Sequence, residues 1–84
     1  MLISLDYDGT YSADPGLWDQ FIALAQARGH EVVCVTARGP DQPVKVPIEI
    51  IYACGKAKEE VMFDLKRDPQ IWIDDQPEFI LRDL

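Results

Sequence analysis

Eighty-four residues make one domain at most, taken here as residues 1–84. With 48% apolar residues a core is within reach, although a chain this small buries only roughly 60–65% of its unfolded surface. A formal charge of -7 repels free nucleic acid and anionic membranes, and suits a cation instead.

Leu2–Leu5 (LISL) is an apolar run of strand length that stops abruptly at Asp6. Met1 leads straight into it, leaving no room for a basic segment and an apolar signal stretch. Gly9 and the polar residues from Thr10 to Asp14 break the pattern. Asp14-Pro15 then predicts a helix start. The carboxylate caps an orphan N–H, and proline lacks the donor that a first-turn residue leaves unpaired. Trp18, Phe21, Ile22 and Ala25 follow at helical spacing, and Gly29 is placed to end the helix. His30, the only histidine, falls in the next turn, which leaves no histidine to act as base or nucleophile.

A second strand runs from Val32 to Val35 and ends at Thr36; its continuous apolar character suits a strand covered on both faces. Between Gly39 and Pro47 three prolines rule out a long helix, so only one helical turn is expected, near Asp41–Lys45. A third strand spans about Ile48 to Ala53. A short helix follows over Lys58 to Leu65, with Val61, Met62 and Leu65 on one side. Gln70 to Ile73 forms a fourth strand ending at Asp74-Asp75, and Pro77 opens a final partial turn. Cys34 and Cys54 lie in or beside apolar runs and read as buried thiols, which fits a reducing compartment. Trp18 and Trp72 read as core. No run approaches the ~18 apolar residues of a membrane span, and the expected setting is the cytoplasm.

Alternating strands and helices give an α/β fold with a small, open, mainly parallel sheet. Three strands end in a polar residue at one edge: Asp6, Thr36 and Asp74. Ligands bind at that edge, where strand order reverses, so the first strand is expected to be central. Asp6, Asp8, Asp74 and Asp75 would then meet, and such a cluster costs energy unless compensated. A hard divalent cation compensates it, and oxygen-only donors favour magnesium over zinc. One aspartate can then stay ionised as a nucleophile towards phosphorus while another handles protons. Backbone N–H groups around Tyr7 to Gly9, the Thr36 hydroxyl and the Lys58 ammonium are candidates to hold phosphoryl oxygens. Lys56 competes with Lys58 for the last duty. No GxxxxGKS/T segment occurs, so a P-loop kinase has no support.

These motifs resemble the haloacid dehalogenase-like superfamily. LISLDYDGTY is similar to its first motif, VVCVTARG to its second, Lys58 to its basic third, and IWIDDQPEFI to its fourth. The resemblance implies a Rossmann-like topology in a minimal member without a cap domain. It implies that Asp6 attacks phosphorus and forms an aspartyl-phosphate. Asp8 would act as general acid and then base while its backbone carbonyl binds magnesium. Thr36 and Lys58 would hold the phosphoryl group. Asp75 would ligate the metal directly, with Asp74 as a second ligand or outer-shell partner. The segment from Thr10 to Asp14 would form a flap.

The expected activity is magnesium-dependent phosphomonoester hydrolysis, on a small molecule or a phosphorylated macromolecule end. The alternatives are an accessory module that binds metal or phosphate without turnover, and a phosphotransferase in nucleotide or nucleic-acid end metabolism. Asp8 separates enzyme from module, because only catalysis needs an acid/base there. Val44, Val46 and Ile48 lie in the proline-rich link with little helical cover, which points to a second copy or a partner protein over that face.

Overall fold

Local chemistry starts and stops the first helix where the sequence predicts. Helix α1 spans Pro15–Ala27, with the Asp14 carboxylate accepting the Leu17 N–H at 3.2 Å and Pro15 in the first turn. At its other end Gly29 takes φ +84°. The Gly29 N–H reaches the Gln26 carbonyl and the His30 N–H reaches that of Ala25, a Schellman closure. The computed structural model describes residues 1–81. The remaining elements are β1 (Leu2–Leu5), β2 (Glu31–Thr36), β3 (Ile50–Tyr52), α2 (Lys58–Asp64) and β4 (Ile71–Ile73). Short 3-10 turns lie at Tyr11–Ala13 and Pro77–Phe79.

All strand pairs are parallel, in the order β3-β2-β1-β4. Strand order therefore reverses between β1 and β4, and β1 is central as expected. Side chains alternate across the sheet. Ile3, Leu5 and Val32 face α1 and pack with Ile22, Ala25 and Tyr11. Val33, Val35 and Ile51 face the other way and pack with Met62 of α2. Leu5, Val33 and Val35 are wholly buried, and each such side chain contributes about 1.5–3 kcal/mol. Trp18 and Trp72 are half-buried against the two clusters. Among the described residues, no helix is long and apolar enough to cross a membrane.

Several boundaries and environments differ from expectation. No helical turn forms at Asp41–Lys45; the link makes one tight turn, Gln42 N–H to Gly39 carbonyl, and then runs extended. Pro43 supplies no donor, and Pro43 and Pro47 push the residues before them out of helical geometry. This strap nevertheless covers the sheet. Val44 is buried, its N–H facing the Tyr52 hydroxyl at 3.4 Å, and Val46 and Ile48 pack on the α1-side cluster. Because Ile48 turns into that cluster, β3 begins only at Ile50. Cys34 is buried, which pushes its thiol up to about 12, but Cys54 is exposed. Strand β3 has already ended at Tyr52, and Cys54 sits in a turn at φ +54°. Leu65 is exposed as well, because α2 ends before it.

Helix α2 closes like α1, with Arg67 N–H to the Met62 carbonyl and Lys66 N–H to that of Phe63. Here the left-handed position, φ +57°, is held by Lys66 rather than glycine. A side chain there costs about 1–2 kcal/mol. Lys66→Gly should raise stability by about 1 kcal/mol, measured by urea melts; an unchanged or lower midpoint would contradict this account of the cap.

Candidate active site

Asp6 follows β1 directly and Asp74 follows β4, so parallel pairing of these neighbours brings both carboxylates to one edge. The Asp6 N–H donates to the Ile73 carbonyl at 2.9 Å, extending the ladder to the site itself. Carboxylate oxygens of Asp6, Asp74 and Asp75 lie within 4.8 Å of one another. Asp6 is buried, Asp74 half-buried and Asp75 exposed, so the group opens to solvent on one side.

Lys58 is the charge inside this group. Only 1% exposed, its Nζ donates to Asp6 Oδ1 at 2.7 Å and to Asp74 Oδ2 at 2.5 Å. Helix α2 begins at Lys58 and delivers the side chain across the strand ends. Lys56 is exposed in the preceding turn, so the structure brings Lys58 and not Lys56 to the carboxylates. Burial raises the Asp6 carboxyl from 3.8 to about 6; Lys58 pulls it down, while Asp75 and Asp74 add to the rise.

Thr10, which the sequence placed only at the start of the expected flap, is also a member of this group. Buried, it aims its hydroxyl at Asp6 Oδ2 (3.2 Å) and Asp75 Oδ1 (3.3 Å), coupling the first and last carboxylates. Its place in DYDGT was the available signal. Gly9 stands at φ +81°, and a Cβ there would lie 2.3 Å from Asp75 Oδ2. The backbone conformation therefore calls for glycine, and a Cβ would in addition displace the Asp75 carboxylate. Its N–H donates to Ser12 Oγ at 3.0 Å, so that donor is committed within the loop. The expected flap segment is folded down as the Tyr11–Ala13 turn, with Tyr11 buried and its hydroxyl on Asp19 at 2.7 Å.

Asp8 and Thr36 lie beside this group rather than in it. Asp8 faces away to Arg38, which grips both of its oxygens at 2.7 and 2.8 Å. Thr36 ends β2, buried, with its Oγ1 accepting the Arg38 N–H at 3.2 Å. His30 accepts from the Met1 amino group at the opposite edge of the sheet, away from the carboxylates. Arg38 too was missed, although it stands two residues after the strand-ending Thr36. A cavity of about 820 Å³ lies between α2 and β4, and none of these carboxylates lines it. Chemistry, not volume, marks the site. Three carboxylates supply oxygen donors only, a set that fits a hard divalent cation such as magnesium.

The chain matches no protein-family model, no curated protein and no solved structure. What is established is therefore a small α/β domain of Rossmann-like topology with an acidic group at its topological switch point.

Two outcomes follow. The unfolded chain releases the Asp6 proton near pH 3.8, and the folded, metal-free protein releases it near 6. Between these values the folded state holds the extra proton, so the contribution of Asp6 to stability falls as pH rises from about 4 to 6 and then levels. Melting wild type and Asp6→Asn in chelator across this range should show wild type losing ground to the variant as pH rises; parallel curves would refute the burial argument. Gly9→Ala should cost at least about 1–2 kcal/mol from its left-handed φ alone, and a melt within 0.5 kcal/mol of wild type would contradict that geometry.

Proposed function

We propose that this chain hydrolyses phosphomonoesters in a magnesium-dependent reaction through an aspartyl-phosphate on Asp6. The observation that carries the reading is the gathering of Asp6, Asp74 and Asp75 around one buried lysine, at the end of the central strand. The motif resemblance to the haloacid dehalogenase-like superfamily supports the same roles. Asp6, Asp74 and Asp75 would hold magnesium together with the Asp8 backbone carbonyl. Magnesium, when bound, offsets the carboxylate charge and stabilises charge on the phosphoryl oxygens.

On this reading an Asp6 oxygen attacks phosphorus, forming the O–P bond of an acyl phosphate (a mixed anhydride) as the bond from phosphorus to the leaving oxygen breaks. Asp8 gives its proton to that leaving oxygen. It then takes a proton from water, which attacks phosphorus and releases inorganic phosphate and the Asp6 carboxylate. Lys58 holds Asp6 in place and offsets charge on the transferred group. Thr36 Oγ1 accepts from the Arg38 N–H, which leaves its own hydroxyl proton to donate to a phosphoryl oxygen. A second reading, a metal- or phosphate-binding module without turnover, draws on the Arg38 grip that occupies both oxygens of Asp8.

Turnover of an activated aryl phosphate with magnesium, together with trapping of the phosphoenzyme, tests the proposal. Asp6→Asn should abolish both, and Asp8→Asn should slow release by ~10²–10⁴-fold. Magnesium should raise the melting temperature of wild type by mass action, and of Asp75→Asn much less. Undiminished activity in Asp6→Asn would defeat the mechanism. A magnesium-stabilised wild type that is inactive on a broad phosphate panel would leave the module reading in its place.

A further inference from the structure

Arg38 presents a cationic fork that the chemistry above does not use. Its Nε donates to Asp8 Oδ2 at 2.8 Å and its Nη2 to Asp8 Oδ1 at 2.7 Å. The guanidinium carbon lies 5.2 Å from the centroid of the Tyr7 ring, a favourable cation–π placement. The backbone beneath it is tied down. The Arg38 carbonyl accepts the Cys54 N–H at 3.2 Å, the Ala37 carbonyl accepts that of Gly55 at 2.9 Å, and the Arg38 N–H is spent on Thr36. Any rearrangement of Arg38 therefore falls to its side chain.

That movement meets little resistance. The Arg38 and Asp8 side chains are 35% and 54% exposed, and exposed ion pairs contribute little to stability. A guanidinium fork fits phosphate as well as carboxylate, so one two-oxygen acceptor can replace another. Beside the pair opens a cleft of about 590 Å³ lined by Asp8, Ala37, Arg38, Gln42 and Pro43. Arg38 lines this cleft together with Asp8, the carboxylate it pairs with.

We propose that Arg38 and this cleft form a subsite for a second anionic group of the substrate, a phosphate or carboxylate a few atoms from the transferred phosphoryl group. Docking that group draws the guanidinium off Asp8 and frees both Asp8 oxygens for the leaving group. Arg38 is then a specificity-determining residue: with a single phosphate Asp8 works only while the exposed pair is open, and a second anion holds it open. The proposal rests on the hydrolytic reading for the position of the first phosphoryl group, at Asp6.

Non-hydrolysable ligands keep the two ideas separable. Alkane-α,ω-bisphosphonates and ω-phosphonocarboxylates of increasing chain length, with the matching alkylphosphonates, would be titrated calorimetrically into wild type, Arg38→Gln and Arg38→Lys with magnesium. A charge-assisted fork predicts that the best two-anion ligand binds wild type about ten- to a hundredfold more tightly than its alkylphosphonate. Arg38→Gln should lose that preference and Arg38→Lys keep part of it. The corresponding phosphate esters should show the same loss in Arg38→Gln, chiefly as a higher KM for the two-anion substrate. A preference for either ligand class that vanishes in Arg38→Gln supports the subsite and identifies its anion. Equal binding of one- and two-anion ligands by wild type, or a preference that survives Arg38→Gln, overturns it. A binding preference without turnover would remove the hydrolytic reading and keep the subsite, and turnover without a preference would do the reverse.

Discussion

A lysine ammonium cannot be shut away from water in a small protein unless acids are built around it. Lys58 is shut away, and Asp6 and Asp74 are the acids that make this tolerable. Removing one partner from such a buried pair typically costs about 3–5 kcal/mol, because the survivor is left charged and desolvated. The lysine comes from α2 and the two acids from the ends of β1 and β4, so this one contact locks three elements at the sheet edge. It also biases the chemistry. Three carboxylates against one ammonium leave two formal negative charges when all are ionised, a deficit that a divalent cation answers.

The rest of the molecule serves that edge at low cost in chain length. Parallel strands need crossovers, and two of the three here are helices. The third is the strap from Gly39 to Glu49, which puts Val44, Val46 and Ile48 onto the sheet where a helix would have laid its apolar stripe. A strap lies flatter than a helix. It also leaves the loop after β2 short and tied to the turn after β3, which fixes the Arg38 backbone while its side chain reaches Asp8. At the other edge Arg67 bonds Glu31 and Glu49, joining the starts of β2 and β3 to the end of α2.

Asp6 and Asp8 are two residues apart and have opposite surroundings. Asp6 is buried, raised to about 6 and shared between Lys58 and Thr10. Asp8 is exposed and held by an arginine from the neighbouring loop. The side chains are identical, so the difference between these two carboxylates rests on environment alone.

Much of this was legible in the chain because it is decided locally. Apolar runs of strand length, the Asp14-Pro15 start and the Gly29 stop act through nearest neighbours, and each formed at or within a residue or two of its expected place. The gathering of Asp6, Thr36 and Asp74 at one edge also followed, since parallel strands all end on the same side. What sequence could not decide was which side chains meet across strands. Lys58 rather than Lys56 reaches the carboxylates because α2 begins at Lys58 and leaves Lys56 in the exposed turn before it, a boundary that sequence does not resolve to within two residues. Thr10 bridges Asp6 to Asp75 across 65 positions of chain, and Arg38 meets Asp8 across 30. Ile48 leaves its strand because the start of β3 depends on how the proline strap packs, and Cys54 is exposed because β3 has ended at Tyr52. Those contacts depend on the relative placement of segments distant in the chain, and only the packed sheet supplies it.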